Sequence, residues 1–415
     1  MRQATAKTAP FDIAPLLAPG LPAPAAEWKG FPRYNFVGGH NDPESVPVEA
    51  LIAAATRVLR REGPTLATYG LNSGPQGYRP LRAFLADKLK AHAGIACSPE
   101  EVLITSGSLQ GLDLVNGMLL APGDTVLVEA ETYAGALTRL ARRGVTAHGV
   151  RLDGDGMRAD ALAAALDELG RRGVRAKYIY TIPTVHNPTG TIMSEARRVE
   201  LLALAQAHGV PIFEDECYAD LVWSGRRPPA LHAIAKGAGV IHIGSFSKSI
   251  APALRVGYLV ADRDILSHIL ALKTDAGSGA LEQMVLGEFC AAHFAEHVPK
   301  LTRALRGKLE TLMEALDEQF GTAAEFVEPK GGIYLWVKLP EVVDTERLAQ
   351  LALTAGIAIN PGSEWTAERT DGRNRLRICF AHPSAETIRE GIAALARVCH
   401  NAFGVPARMA NVAEP

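Results

Sequence analysis

Disulfide frameworks, metal-binding cysteine pairs, an excess of one charge and long apolar runs are all missing from this 415-residue chain. The five cysteines, Cys97, Cys217, Cys290, Cys379 and Cys399, are scattered, odd in number and form no Cys-x-x-Cys pair. That pattern argues against a structural metal and a secreted disulfide scaffold, and for reduced thiols. Lys plus Arg (43) nearly balance Asp plus Glu (45), for a net charge of −2. Nucleic-acid surfaces normally show a basic excess, so no nucleic-acid partner is expected. No run approaches a membrane span, and residues 1–24 lack the apolar core of a signal peptide. The chain reads as soluble and cytoplasmic, without a membrane partner. It shows no internal repeat and no low-complexity segment.

What is present is an ordinary globular composition, 47% hydrophobic and 21% charged, on a chain too long for one core. Residues 1–30 are rich in Ala and Pro and read as an arm. Helical spacing appears at Val48–Arg61 and Leu81–Ala91. Short β-branched runs then alternate with Ala/Leu-rich helical stretches: 101–105, 125–128, 178–181, 211–213 and 240–243. Such alternation predicts an α/β fold, a mainly parallel sheet with helices on both faces. Ligands of such sheets bind beyond the carboxyl ends of the strands. Helical patterning dominates from 265 to 320. Runs at 331–337 and 375–380 read as strands of a smaller α+β domain, closed by a helix over 385–402. The tail from Val405 to Pro415 is expected to be loosely ordered.

The chemistry-bearing segments follow the predicted strands. Lys248 lies in Ser245-Phe246-Ser247-Lys248-Ser249, with Arg255 seven positions on. A buried lysine loses its proton readily, and a neutral amine can hold pyridoxal phosphate as a Schiff base. Ser245 and Arg255 are then placed to hold a phosphate. Ser106-Gly107-Ser108, opening a helix, offers backbone N–H groups to the same anion. Tyr133, after the 125–128 strand, could stack on a flat ring. Asn187, in His186-Asn187-Pro188-Thr189-Gly190, could donate to a ring oxygen. Asp215, at the end of a buried strand, needs a cationic partner such as a protonated pyridine nitrogen, with Tyr218 three positions on. Each segment alone has an ordinary explanation as a turn, a helix cap or a strand end. Their order carries the argument.

In that order the chain resembles the class I/II aminotransferases, fold-type I pyridoxal-phosphate enzymes, from about Tyr34 to Val398. It is most similar to the branch that includes 2-aminoadipate and kynurenine aminotransferase-like enzymes. The resemblance implies a large domain built on a mainly parallel seven-stranded sheet flanked by helices, plus a smaller α+β domain. The expected boundaries are 1–47 for an arm and a segment joining the small domain, 48–300 for the large domain and 301–415 for the small one. It implies that Lys248 forms the internal aldimine and shuttles the proton. Asp215 would pair with the ring nitrogen, Asn187 and Tyr218 with the ring oxygen, and Tyr133 with the ring face. Ser106, Gly107, Ser108, Ser245 and Arg255 would hold the phosphate. Tyr69, in Thr68-Tyr69-Gly70, would reach a neighbouring subunit's phosphate in a homodimer. Arg377 would grip the substrate α-carboxylate, which Gly39 also contacts through its backbone.

The chain departs from the family pattern at His40-Asn41, Leu109, Glu131 and His186. His40 stands beside Gly39, where it could read a polar or anionic substrate. The implied reaction moves the α-amino group of an L-amino acid to a 2-oxo acid. The same residue set also serves elimination, replacement, cyclisation or oxidation, so that alternative stays open here. A DNA-binding regulator carrying this fold is not expected, since too few residues precede Tyr34 for a winged helix.

Overall fold

The computed structural model describes residues 12–223 and 225–406. Residues 12–31 belong to a unit of their own, with a short 3-10 turn at Ala14–Leu16 and an edge-on contact between Trp28 and Phe31. Residues 1–11 of the expected arm and 407–415 of the expected loose tail lie outside the described residues.

From residue 32 onward two main sheets organise the chain. The larger has seven strands, in the order Val102–Thr105, Gly257–Val260, Val240–Ser245, Ile212–Asp215, Ala176–Thr181, Thr125–Glu129 and Thr146–Val150. Every pairing is parallel except the two made by Gly257–Val260. The strands at 102–105, 240–245 and 257–260 are buried throughout, as expected of a sheet covered on both faces. Five of the seven match the predicted runs. Thr146–Val150 escapes prediction because Ala, His and Gly dilute its β-branched residues. Gly257–Val260 escapes because its glycine start reads as part of the Lys248 loop.

Helices join the parallel strands, and their ends follow local chemistry. In Glu195–His208 the Ser194 hydroxyl accepts the Arg197 N–H at 3.2 Å, and Gly209 closes the helix at φ 61°. The single helical stretch predicted over 265–320 is two helices, Arg263–Leu272 and Ala280–Phe320. Between them Asp275 accepts from Lys273 Nζ at 2.6 Å and from the Gly277 N–H at 3.0 Å, fixing a turn.

The second sheet is antiparallel, in the order Glu325–Phe326, Tyr334–Lys338, Arg375–Cys379, Asn360–Pro361. The helix Ala280–Phe320 serves two cores in turn. Met284, Phe289 and Phe294 pack with the helices Val48–Glu62 and Arg79–Ala93. Leu301, Leu305, Leu309, Leu312 and Leu316, at helical spacing, pack with the second sheet and the last helix, Ala385–Phe403. Tyr34 and Phe36 join this second core. Among the described residues no helix is long and apolar enough to cross a membrane, and no group of His, Cys, Asp or Glu is placed to hold a metal. All five cysteines are free.

Beneath the large sheet a buried acid gathers three donors. Glu214 accepts the Leu231 and His232 N–H groups and His242 Nδ1 (2.9 Å). Burial, and then His242, push the His232 imidazole down to about 4. A histidine depressed on folding stays neutral in the fold while the unfolded chain takes up its proton, so stability falls as pH drops from about 6.5 towards 4. We expect this group to remove on the order of 2 kcal/mol between pH 7 and 5. Urea unfolding at the two pH values checks this; in His232→Gln the loss should shrink by that amount.

Candidate active site

The parallel strands end along one edge, at Thr105, Glu129, Thr181, Asp215 and Ser245. Gly257–Val260 runs the other way, so it begins at that edge, with Gly257 aligned to both Thr105 and Ser245. This reversal brings Arg255 to the place where the other strands finish. A cavity of about 380 Å³ opens there.

Lys248 lines the cavity, and its Nζ donates to the Gly39 carbonyl at 2.7 Å. A Cβ on Gly39 would press on that amine and on the Tyr334 hydroxyl, so a larger residue would displace one of them. Asn41 Nδ2 braces the lysine's backbone, donating to the carbonyls of Lys248 and Ile250 at 3.2 Å each.

Glu214 and Asp215 are consecutive strand residues and face opposite sides of the sheet. Asp215 faces the cavity, accepting from the Tyr180 hydroxyl at 2.7 Å and the Cys217 N–H at 3.1 Å. Burial pushes its carboxyl above the usual range, and the hydrogen bonds from Tyr180 and Cys217 oppose the shift. No cationic side chain pairs with it among the described residues.

Tyr218 accepts from Asn187 Nδ2 at 3.2 Å and donates to the Tyr334 hydroxyl at 3.3 Å. Burial, then Tyr334, raises its phenol well above the ordinary value. Asn187 does not line the cavity, and its Oδ1 accepts from Arg377 Nη1 at 3.2 Å. The Arg377 guanidinium lies between two rings, 3.7 Å from the centre of Tyr334 and 3.6 Å from that of Trp365. Tyr133 lines the cavity near Trp365, and burial pushes its phenol up to about 12.

At the other end stand Ser245, Ser108 and Arg255. Arg255 has a left-handed backbone (φ 53°) and donates to the carbonyls of Pro252 (3.0 Å) and Ser106 (3.5 Å). Ser106 and Gly107 do not line the cavity. Their N–H groups are already taken, by Gln110 Oε1 and the Thr105 carbonyl, both at 2.8 Å. The donors left for an anion are those opening the helix Ser108–Leu119. Glycine is favoured at Gly107 by its positive φ of 78°, and a Cβ there would also press on the Arg255 guanidinium.

Two expected site residues lie apart. Tyr69, 90% exposed, lines a separate hollow of about 780 Å³ with Lys273, Asp275 and Ser278. Gln110 links the two places, donating to Asp275 at 2.6 Å while its oxygen holds Ser106. His40 packs against His382, with ring centres 5.5 Å apart, and is not part of the cavity wall. Burial, then His382 and Lys248, lowers its imidazole. Tyr180, Tyr334, Asn360 and Trp365 belong to the site without any sequence signal, because each acquires its role only through cross-strand or cross-sheet neighbours.

The donor set fits a phosphorylated pyridine aldehyde. One end offers a helix start, two serines and an unpaired guanidinium for a phosphate. An acid with no cationic partner suits a protonated ring nitrogen, and an amine stands ready for an aldehyde.

The family model for "aminotransferase class I and II" matches residues 37–395. The 2-aminoadipate transaminase of Thermus thermophilus is 35% identical over 88% of this chain and 89% of its own length. Aromatic-amino-acid aminotransferase 1 of Thermococcus litoralis is 33% identical over 87% of each. The crystal structure of Thermus thermophilus alpha-aminoadipate aminotransferase with N-(5'-phosphopyridoxyl)-L-leucine matches 90% of this chain and 93% of that one, with TM-score 0.81 and 34% identity.

Proposed function

Because the chain belongs to the class I and II aminotransferases, pyridoxal-phosphate enzymes of fold-type I, we propose that the Lys248 cavity is where it moves an amino group from an amino acid to a 2-oxo acid. One observation carries the assignment. The four charged residues of the cavity wall are Lys248, Arg255, Arg377 and Asp215, and no ion pair neutralises any of them among the described residues. Two guanidiniums suit a phosphate and a substrate carboxylate, the acid suits a cationic ring nitrogen, and the amine suits an aldehyde.

Pyridoxal phosphate supplies an aldehyde for amines and a ring that withdraws electrons while its nitrogen stays protonated. Asp215 would hold that nitrogen's proton, steadied by Tyr180 and the Cys217 N–H. Ser108, Ser245 and Arg255 would bind the phosphate, with Ser106 and Gly107 shaping the turn. Asn187 and Tyr218 would meet the ring oxygen, and Tyr133 the ring face. Lys248 would bind the aldehyde covalently and then, freed, move the proton at the substrate α-carbon. Arg377 would orient the substrate by its carboxylate, beside Gly39. We assign His40 a supporting place against Gly38, where a Cβ would lie 2.8 Å from His40 Nε2.

The exposure of Tyr69 supports a homodimer in which it reaches the partner's phosphate. The change of core along Ala280–Phe320, between Phe294 and Leu301, supports a domain boundary near residue 300, with residues 32–47 joining the small domain. Five free thiols support a cytoplasmic location.

Asp215→Asn tests the assignment. It keeps the shape and the Tyr180 contact but removes the charge, and we expect kcat to fall at least about 100-fold with the thermal midpoint little changed. Near wild-type turnover would remove Asp215 from the cofactor site.

A further inference from the structure

Arg377 has five N–H donors, and the chain already uses three. Nη2 donates to the Gly38 carbonyl at 2.9 Å and to Asn360 Oδ1 at 2.8 Å, as many bonds as it has hydrogens. Nη1 donates once, to Asn187. Nε is buried without a partner. A guanidinium holds a carboxylate through two parallel N–H groups, either both terminal nitrogens or Nε with Nη2. Both arrangements need a hydrogen from Nη2. The arginine cannot turn out of its plane to free one, because Tyr334 and Trp365 cover both faces. For a two-point grip, one of the two acceptors has to leave.

Gly38 offers a backbone carbonyl, whereas Asn360 offers a side chain that can rotate. Asn360 lies directly across the strand pair from Arg377 and lines the cavity. We infer that Asn360 is a stand-in for the substrate carboxylate, an acceptor on Arg377 Nη2 that gives way when the carboxylate arrives. The inference rests on the reading of Arg377 as the carboxylate grip. It makes Asn360 a specificity residue. A charged carboxylate outcompetes an amide oxygen for a guanidinium, whereas a neutral amide or ester does not.

The test measures binding of 3-phenylpropanoate and of its amide, 3-phenylpropanamide, to the cofactor-loaded enzyme. Asn360→Ala should bind the acid about 3- to 10-fold tighter and should gain measurable affinity for the amide, as expected when one competing hydrogen bond is removed. Asn360→Asp, nearly the same shape, should bind the acid at least about 10-fold more weakly, because its carboxylate pairs with Arg377. Retained cofactor absorbance confirms folding, and the aspartate variant carries the test if the alanine variant fails to fold. Weaker acid binding by Asn360→Ala would mean that Asn360 prepares Arg377 for substrate, and would overturn the inference. Unchanged binding in both variants would overturn it equally. Arg377→Ala separates the layers. If it binds the acid like the wild type, the carboxylate grip itself is misassigned and the role of Asn360 falls with it.

Discussion

Lys248→Ala is expected to abolish covalent cofactor attachment and to slow turnover at least about 10³-fold. Among the described residues the lysine is the only amine in the cavity wall. Two tasks fall to it, covalent capture of the aldehyde and proton movement at the substrate α-carbon. Losing both removes nucleophile and base together. The fold should survive, because Lys248 makes no ion pair among the described residues and the Asn41 bond to its backbone carbonyl does not need the side chain. Borohydride reduction followed by mass spectrometry reads the covalent link directly. The wild type should gain the mass of the cofactor and the variant should not. A variant that turns over near the wild-type rate would show that another group is the nucleophile.

Arg377→Ala is expected to lower kcat/KM by about 10²- to 10³-fold, mostly through KM, while the cofactor stays bound. A charge-assisted fork to a carboxylate is worth roughly 2–5 kcal/mol when one partner is removed. Each 1.4 kcal/mol is about tenfold. Arg377 touches Asn187, Gly38 and Asn360 but none of Ser108, Ser245 or Arg255, so the phosphate end should not feel the change. Arg377→Lys should fall between, since a lysine restores the charge without the planar fork. Steady-state kinetics with cofactor absorbance measured alongside decides it. An unchanged KM would place the substrate carboxylate elsewhere.

The sheet was legible where burial on both faces leaves continuous β-branched runs, as at 102–105 and 240–245. Turn chemistry directly after such runs is the signal that singled out Lys248, Asp215 and Tyr133, which line the cavity, and Asn187, which bonds to Tyr218 and Arg377. What depends on register was not. Tyr180 pairs with Phe213 across neighbouring strands, and only that alignment carries its hydroxyl to Asp215. The sandwich around Arg377 draws Tyr334 and Trp365 from separate segments of the chain, and neither segment shows that pairing in sequence. Ser106 and Gly107 matched a phosphate turn by composition. Their N–H groups are nevertheless consumed by Gln110 and Thr105, a bond pattern that no spacing rule displays. His40 stood beside a cavity glycine in sequence, yet its ring packs on His382.

The central claim, that this cavity transfers an amino group, is tested most directly by mixing the loaded enzyme anaerobically with single L-amino acids in the absence of any 2-oxo acid. One round only is expected. Each active site should release one equivalent of 2-oxo acid, and its cofactor should end as the amine form, returning to the aldehyde form only when a 2-oxo acid is added. Continuous product formation with the aldehyde form regenerated throughout would contradict it, and would mean that these residues run an elimination, replacement or cyclisation instead.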